Sequence, residues 1–98
     1  MEVLAKFHAI VHKIGRIIIP VGTRNFYGIE HGDFVEVKIL KYENNKKARE
    51  GTFTARVGEQ GSIFIPKALR EIMGIKPGDV LEVLLLAHYK ANKPKRSA

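Results

Sequence analysis

Six basic side chains stand where they could bind an anion: Lys13, Arg16, Arg24, Arg56, Lys67 and Arg70. Lys13 and Arg16 flank Gly15 in the stretch HKIGR. A glycine at that place reads as a hairpin turn, and cations at a hairpin tip reach phosphate oxygens unobstructed. His12, next to Lys13, could touch the same phosphate. Arg24 and Arg70 follow Pro20 and Pro66 by four residues, inside short helical segments. Their alternative use is a capping or ion-pair role beside the helix. Arg56 and Lys67 are solvated charges by default. The whole chain carries 17 Lys and Arg against 10 Asp and Glu, a formal net charge of +7. Such a surplus favours an anionic partner, either nucleic acid or an anionic membrane surface.

Other chemistries find little support. The chain has no cysteine, which removes disulfides, thiolate metal sites and thiol nucleophiles and fits a cytoplasmic location. His8 and His12 would lie on one strand face about 13 Å apart at strand rise. Neither they nor His31 and His88 stand in a metal-ligand pattern with a carboxylate or thiol, so no metal and no cofactor are expected. Ser62 has no histidine at a suggestive place, and no phosphate loop or paired-carboxylate arrangement occurs, so no enzymatic activity is expected. Asp33 and Asp79 each follow a glycine and read as turn holders. Glu36 and Glu82 read as mid-strand side chains, facing solvent or in cross-strand ion pairs. In the N-terminal stretch the longest clean apolar run, Ile17 to Val21, is far too short to span a bilayer, so no membrane partner is expected.

The elements that must position these residues come in two copies. Shifted by 46 positions, residues 7–42 lie over 53–88 without a gap. Phe7/Phe53, Gly15/Gly61, Ile17/Ile63, Pro20/Pro66, Arg24/Arg70, Gly28/Gly74, Gly32/Gly78 and Asp33/Asp79 are among the identical pairs. Each unit reads as strand, glycine turn, strand, short helix stopped by glycine, turn, strand. In the second unit Leu69, Ile72 and Met73 recur at helical spacing. In the first, Gly22, Thr23 and Asn25 are poor helix formers, which predicts a single or irregular turn between Val21 and Tyr27. The tyrosines and phenylalanines, with Phe26 at the Ile72 position, read mostly as core. One unit of this size is too small to fold alone. The expected organisation is therefore one domain over 1–98: repeat one at 7–42, a polar linker at 43–52, repeat two at 53–88, and a basic flexible tail at 89–98.

The stretches KIGRIIIP with GIEHGDFVEV, and EQGSIFIPKALREIMGIKPGDVLEV, resemble the AbrB/MazE/SpoVT family of swapped-hairpin DNA-binding domains. The likeness runs from Phe7 to Leu86. It implies a mainly β fold with short helices, an AbrB-like swapped-hairpin β-barrel made by two tandem ββαβ repeats as an intramolecular pseudo-dimer. It also implies a transcriptional regulator or chromatin-type protein whose partner is duplex DNA. By position, Arg16 matches the family's arginine after the turn glycine, and Arg24 and Arg70 match the arginine of the short helix. The second copy departs from this pattern, with Ser62 at the Arg16 position and Glu59 at that of Lys13. The alternative the family allows is an antitoxin-like or other protein-binding module. Further association of whole chains is left open.

Overall fold

The computed structural model describes residues 2–91. Eight elements follow in order: β1 (Ala5–Ile10), β2 (Arg16–Ile18), α1 (Val21–Tyr27), β3 (Phe34–Glu43), β4 (Lys46–Arg56), β5 (Ser62–Phe64), α2 (Lys67–Met73) and β6 (Val80–Tyr89). A tight turn over Lys13–Gly15 joins β1 to β2, and one over Glu59–Gly61 joins β4 to β5. The same strand–turn–strand–helix–strand order thus occurs twice.

The strands form a four-stranded antiparallel sheet, in the order β1-β6-β3-β4, and a two-stranded sheet, β2-β5. Every pairing joins residues 5–43 to residues 46–89: β1 with β6, β2 with β5, and β3 with both β4 and β6. The sheets stay open rather than closing into the expected barrel. β2 and β5 are three residues long and pair only with each other, so no ladder connects the small sheet to the large one.

The pleat explains the core. Alternate residues Phe7 and Ala9 on β1, Val35, Val37 and Ile39 on β3, Phe53 on β4, and Leu81, Val83 and Leu85 on β6 are buried on one sheet face. Ile17, Ile19, Ile63 and Ile65 close over them from the small sheet and the segments just after it, with Ile29, Met73 and Ile75 filling the ends. At roughly 1.5–3 kcal/mol per fully buried large aliphatic, this shared cluster is the main stabilising term.

Four expectations need correction. The polar segment 43–52 is not a separate linker: it completes a long hairpin in which β4 begins at Lys46. Asn44 and Asn45 have φ values of 52° and 64° and supply the two left-handed residues of a two-residue hairpin loop. The first helix is as long as the second, seven residues each. Pro20 leads into it and Gly28, at φ 67°, ends it, so fixed ends and tertiary packing outweigh weak propensity. Phe26 and Ile72 are not core but 80% and 67% exposed. A two-turn helix has one face for the core, which Tyr27 and Met73 occupy, and the preceding residue points about 100° away. The expected flexible tail begins as ordered chain, because Tyr89 ends β6 and Lys90 and Ala91 are held by hydrogen bonds; the rest of that tail lies outside the described residues.

Asp33 anchors this last contact. It is 3% exposed and accepts hydrogen bonds from the Glu30 N–H at 2.9 Å, the Ala91 N–H at 2.9 Å, His88 Nε2 at 2.8 Å and Lys90 Nζ at 3.2 Å. Burial alone raises its pKa. The His88 bond, the two N–H groups and Lys90 outweigh burial and hold the carboxyl well below the usual carboxylate range. Its partner Asp79 also holds its turn, accepting from the Lys76 N–H at 2.9 Å. Lys41 Nζ caps the C-terminus of α2 at Gly74 O, 2.6 Å away, and Lys90 Nζ caps that of α1 at Gly28 O, 2.7 Å away. Each lysine comes from the half of the chain that does not contain the helix it caps.

Two outcomes follow. Chains cut at the hairpin loop, 1–44 and 45–98, should each fail to give a dispersed monomer NMR spectrum at micromolar concentration; a folded monomer from either would contradict the cross-paired core. Because the pKa of Asp33 is depressed by folding, its contribution is complete above the unfolded-chain carboxyl pKa near 4 and is lost as pH falls below it. Asp33→Asn should cost about 3 kcal/mol at neutral pH and flatten the acid limb of the stability profile. An acid limb unchanged in the variant would show that Asp33 does not set it.

Candidate nucleic-acid interface

The two tight turns are built alike and lie at opposite ends of the β2-β5 ribbon. In the first, Ile14 and Gly15 take φ values of 63° and 72°; in the second, Gln60 and Gly61 take 57° and 76°. The His12 N–H donates to Arg16 O at 2.8 Å, and the Gly58 N–H donates to Ser62 O at 2.8 Å. A left-handed conformation costs a non-glycine residue about 1–2 kcal/mol, and β-branched residues are rarest there. Ile14 is therefore strained where Gln60 is less so.

Each turn is clamped by an arginine from the opposite half. The Arg70 side chain lies against Gly15, so a Cβ there would fall 2.4 Å from its Cδ. Arg24 lies against Gly61 in the same way, 2.3 Å from its Nε. Arg24 Nε donates to Ile19 O at 2.9 Å and Arg70 Nε donates to Ile65 O at 3.0 Å. The backbone repeats the cross-link: the Ile19 N–H donates to Gly61 O and the Ile65 N–H to Gly15 O, both at 2.9 Å. Glycine is required at 15 and 61 for the left-handed backbone and for this close approach together. The arginines expected as anion contacts are thus structural clamps through Nε, while their terminal nitrogens make no hydrogen bond among the described residues.

This places the expected residues unequally. Lys13, Arg16 and Arg70 meet at the first turn. Lys67 continues the basic surface on α2, where an open cavity of about 360 Å³ is lined by Lys67, Arg70, Glu71, Gly74, Ile75 and Lys76. At the second turn Arg24 meets Glu59 and Ser62, and the Ser62 hydroxyl is turned inward, donating to Glu59 O at 2.9 Å. Arg56 stands apart from both, with its guanidinium carbon 6.0 Å from the ring centre of Phe34.

Ion pairs among the described residues use Lys6, Lys38, Lys41, Lys47, Lys90 and the histidines His8 and His88. None uses Lys13, Arg16, Arg24, Arg56, Lys67 or Arg70. The positive charge on the hairpin tip is therefore not neutralised among the described residues. Some charges elsewhere are matched, though Lys46, Arg49 and Lys76 also form no ion pair among the described residues: Glu82, the mid-strand glutamate, faces Lys6 at 3.5 Å and His8 at 3.7 Å across the β1-β6 pair. Lys38 and Lys47 hold the Glu50 carboxyl down at about 2. Among the described residues no three His, Cys, Asp or Glu side chains cluster as a metal site, and no helix is long and apolar enough to cross a membrane.

The uncompensated turn and the cross-paired strands can be set beside known proteins. Residues 54–86 match the family described as antidote-toxin recognition MazE, bacterial antitoxin. The solution structure of PHS018 from Pyrococcus horikoshii is 72% identical, covers 95% of this chain and 100% of that chain, and superposes with a TM-score of 0.86. The chain belongs to one family with PHS018. The second unit carries the AbrB/MazE-like match, in keeping with the helix-forming sequence of α2 and its turn residues. No curated protein matches the chain.

The clamp makes a measurable coupling. Gly61→Ala should destabilise by about 2 kcal/mol or more, from left-handed strain plus collision with Arg24. In an Arg24→Ala background the collision is gone, and the same substitution should cost only about 1 kcal/mol. Denaturant melts of the four proteins in this double-mutant cycle test it, and strictly additive effects would mean that Arg24 does not lie on the turn.

Proposed function

We propose that this protein binds duplex DNA as a non-enzymatic regulator or chromatin-type protein, with two AbrB/MazE-like units fused as an intramolecular pseudo-dimer. The observation that carries this reading is the set of basic residues around the turns and short helices that form no ion pair among the described residues. Phosphates are the natural counter-charge for such a set, since each neutralised phosphate releases condensed counterions. The pseudo-dimer reading is supported by strands that pair only between halves and by a sequence that repeats itself without a gap.

The two halves are unequal partners in this mechanism. Residues 7–42 hold five Lys and Arg against three Asp and Glu, and residues 53–88 hold four against four. The first turn offers Lys13, Arg16 and Arg70, and the second offers Arg24 beside Glu59. The first half should therefore contribute most of the affinity, with Glu59 repelling phosphate.

A second reading, an antitoxin-like or other protein-binding module, is favoured by the exposed apolar residues at equivalent places on the two helices, Phe26 and Ile72. The description of the matched family points the same way. A pull-down that recovers DNA, or instead one defined protein, separates the two.

The DNA reading is tested by duplex titration at several salt concentrations. With about five phosphates neutralised, log K should fall against log salt with a slope of about −4 to −5. Arg16→Ala should weaken binding by about 1–2 kcal/mol, Ser62→Ala should leave it nearly unchanged, and Glu59→Lys should tighten it, with all three variants melting like the parent. A slope near zero, or no binding at low salt, would remove DNA as the main partner.

A further inference from the structure

Two separate features disfavour Ile14 where it stands. It is a β-branched residue in the left-handed region, at φ 63° and ψ 21°, where glycine, asparagine or aspartate would sit with less strain. It is also 73% exposed, so it gains little from the hydrophobic core. The equivalent residue, Gln60, has the same backbone conformation at φ 57° but is polar and unbranched. Among the described residues, nothing that stabilises the turn calls for isoleucine at this position.

The surroundings say what could. Ile14 lies between Lys13 and Arg16, on a turn whose glycine is covered by Arg70. None of these three cations has a carboxylate within ion-pair distance among the described residues. A strained, exposed apolar group flanked along the chain by unpaired cations fits a partner with negative rims and an apolar group set between them. The DNA major groove has that composition: phosphates line its edges, and the thymine 5-methyl group projects from its floor. The groove also admits a two-stranded β-ribbon, and the turn stands at one end of the β2-β5 ribbon.

We infer that Ile14 contacts thymine methyl groups in the major groove, so that the first turn reads sequence while the Gln60 turn does not. This rests on the DNA-binding reading above and assigns the base-reading element within it. Thermal stability is given up at the turn for contact in the groove, a trade common at binding sites.

The test uses a pool of random 24-base-pair duplexes made with thymidine and the same pool made with deoxyuridine, which lacks only the methyl groups. The parent should bind the thymidine pool about fourfold more tightly, the worth of one buried methyl group. Ile14→Gln, which copies the other turn, should bind both pools alike, at the parent's deoxyuridine level. Ile14→Asn should raise Tm while losing the same discrimination. A purely structural role for Ile14 would move stability and binding in the same direction. Equal binding of the two pools by the parent, or a thymidine preference retained in Ile14→Gln, overturns the inference while leaving salt-dependent DNA binding intact. Failure of the parent to bind either pool at low salt overturns both. Vesicles of anionic phospholipid serve as the remaining arm: Ile14-dependent binding to them, and not to duplex, would assign the residue to a membrane surface instead.

Discussion

Among the described residues, no strand in either half finds a hydrogen-bonded partner strand in its own half. This single constraint governs the rest of the structure. A half left alone would expose the backbone of three strands and one face of every buried aliphatic, and neither loss is small next to a typical net stability of about 5–15 kcal/mol. The secondary contacts repeat the same crossing. Arg24 and Arg70 each bond their own segment while lying on the other half's turn, and Lys41 and Lys90 each cap the other half's helix. Turns, helix ends and core are consequently stabilised together.

The two halves lie in one chain, so their sequences can differ where the shared core does not object. The core positions and the turn glycines are matched, but the residues facing outward from the turns are not. Lys13, Ile14 and Arg16 correspond to Glu59, Gln60 and Ser62. The scaffold therefore presents one cationic turn, strained and partly apolar, and one nearly neutral turn, on the same backbone.

Much of this was legible in the sequence, for reasons that can be named. Backbone punctuation by Gly15, Gly61, Pro66, Gly74, Gly78 and Asp79 has few physical readings, and alternating aliphatics such as Ile17 and Ile19 face one way only. The long β3-β4 hairpin was hidden because its outer half is an edge strand. Lys46, Lys47, Arg49 and Glu50 suit an exposed edge and carry no apolar alternation, and the signal that remained was the adjacent pair Asn44-Asn45. Helix α1 was underread because its ends and packing, not its residues' propensities, make it regular. The clamping use of Arg24 and Arg70 was hidden by its length scale: each arginine meets a glycine of the other half, 37 residues away in one case and 55 in the other by the sequence numbering. The shared presence of both arginines and both glycines in the repeat was the available clue.

The proposed docking surface for DNA is the uncompensated first turn, held by the opposite half. Amide chemical-shift mapping of the ¹⁵N-labelled full chain against duplex DNA tests it most directly. The largest changes should centre on residues 12–17 and 67–70, with smaller ones at 58–62 and almost none on the outer face of the four-stranded sheet. Changes concentrated instead at the β3-β4 hairpin loop or on the outer face of β1 and β6 would contradict the account.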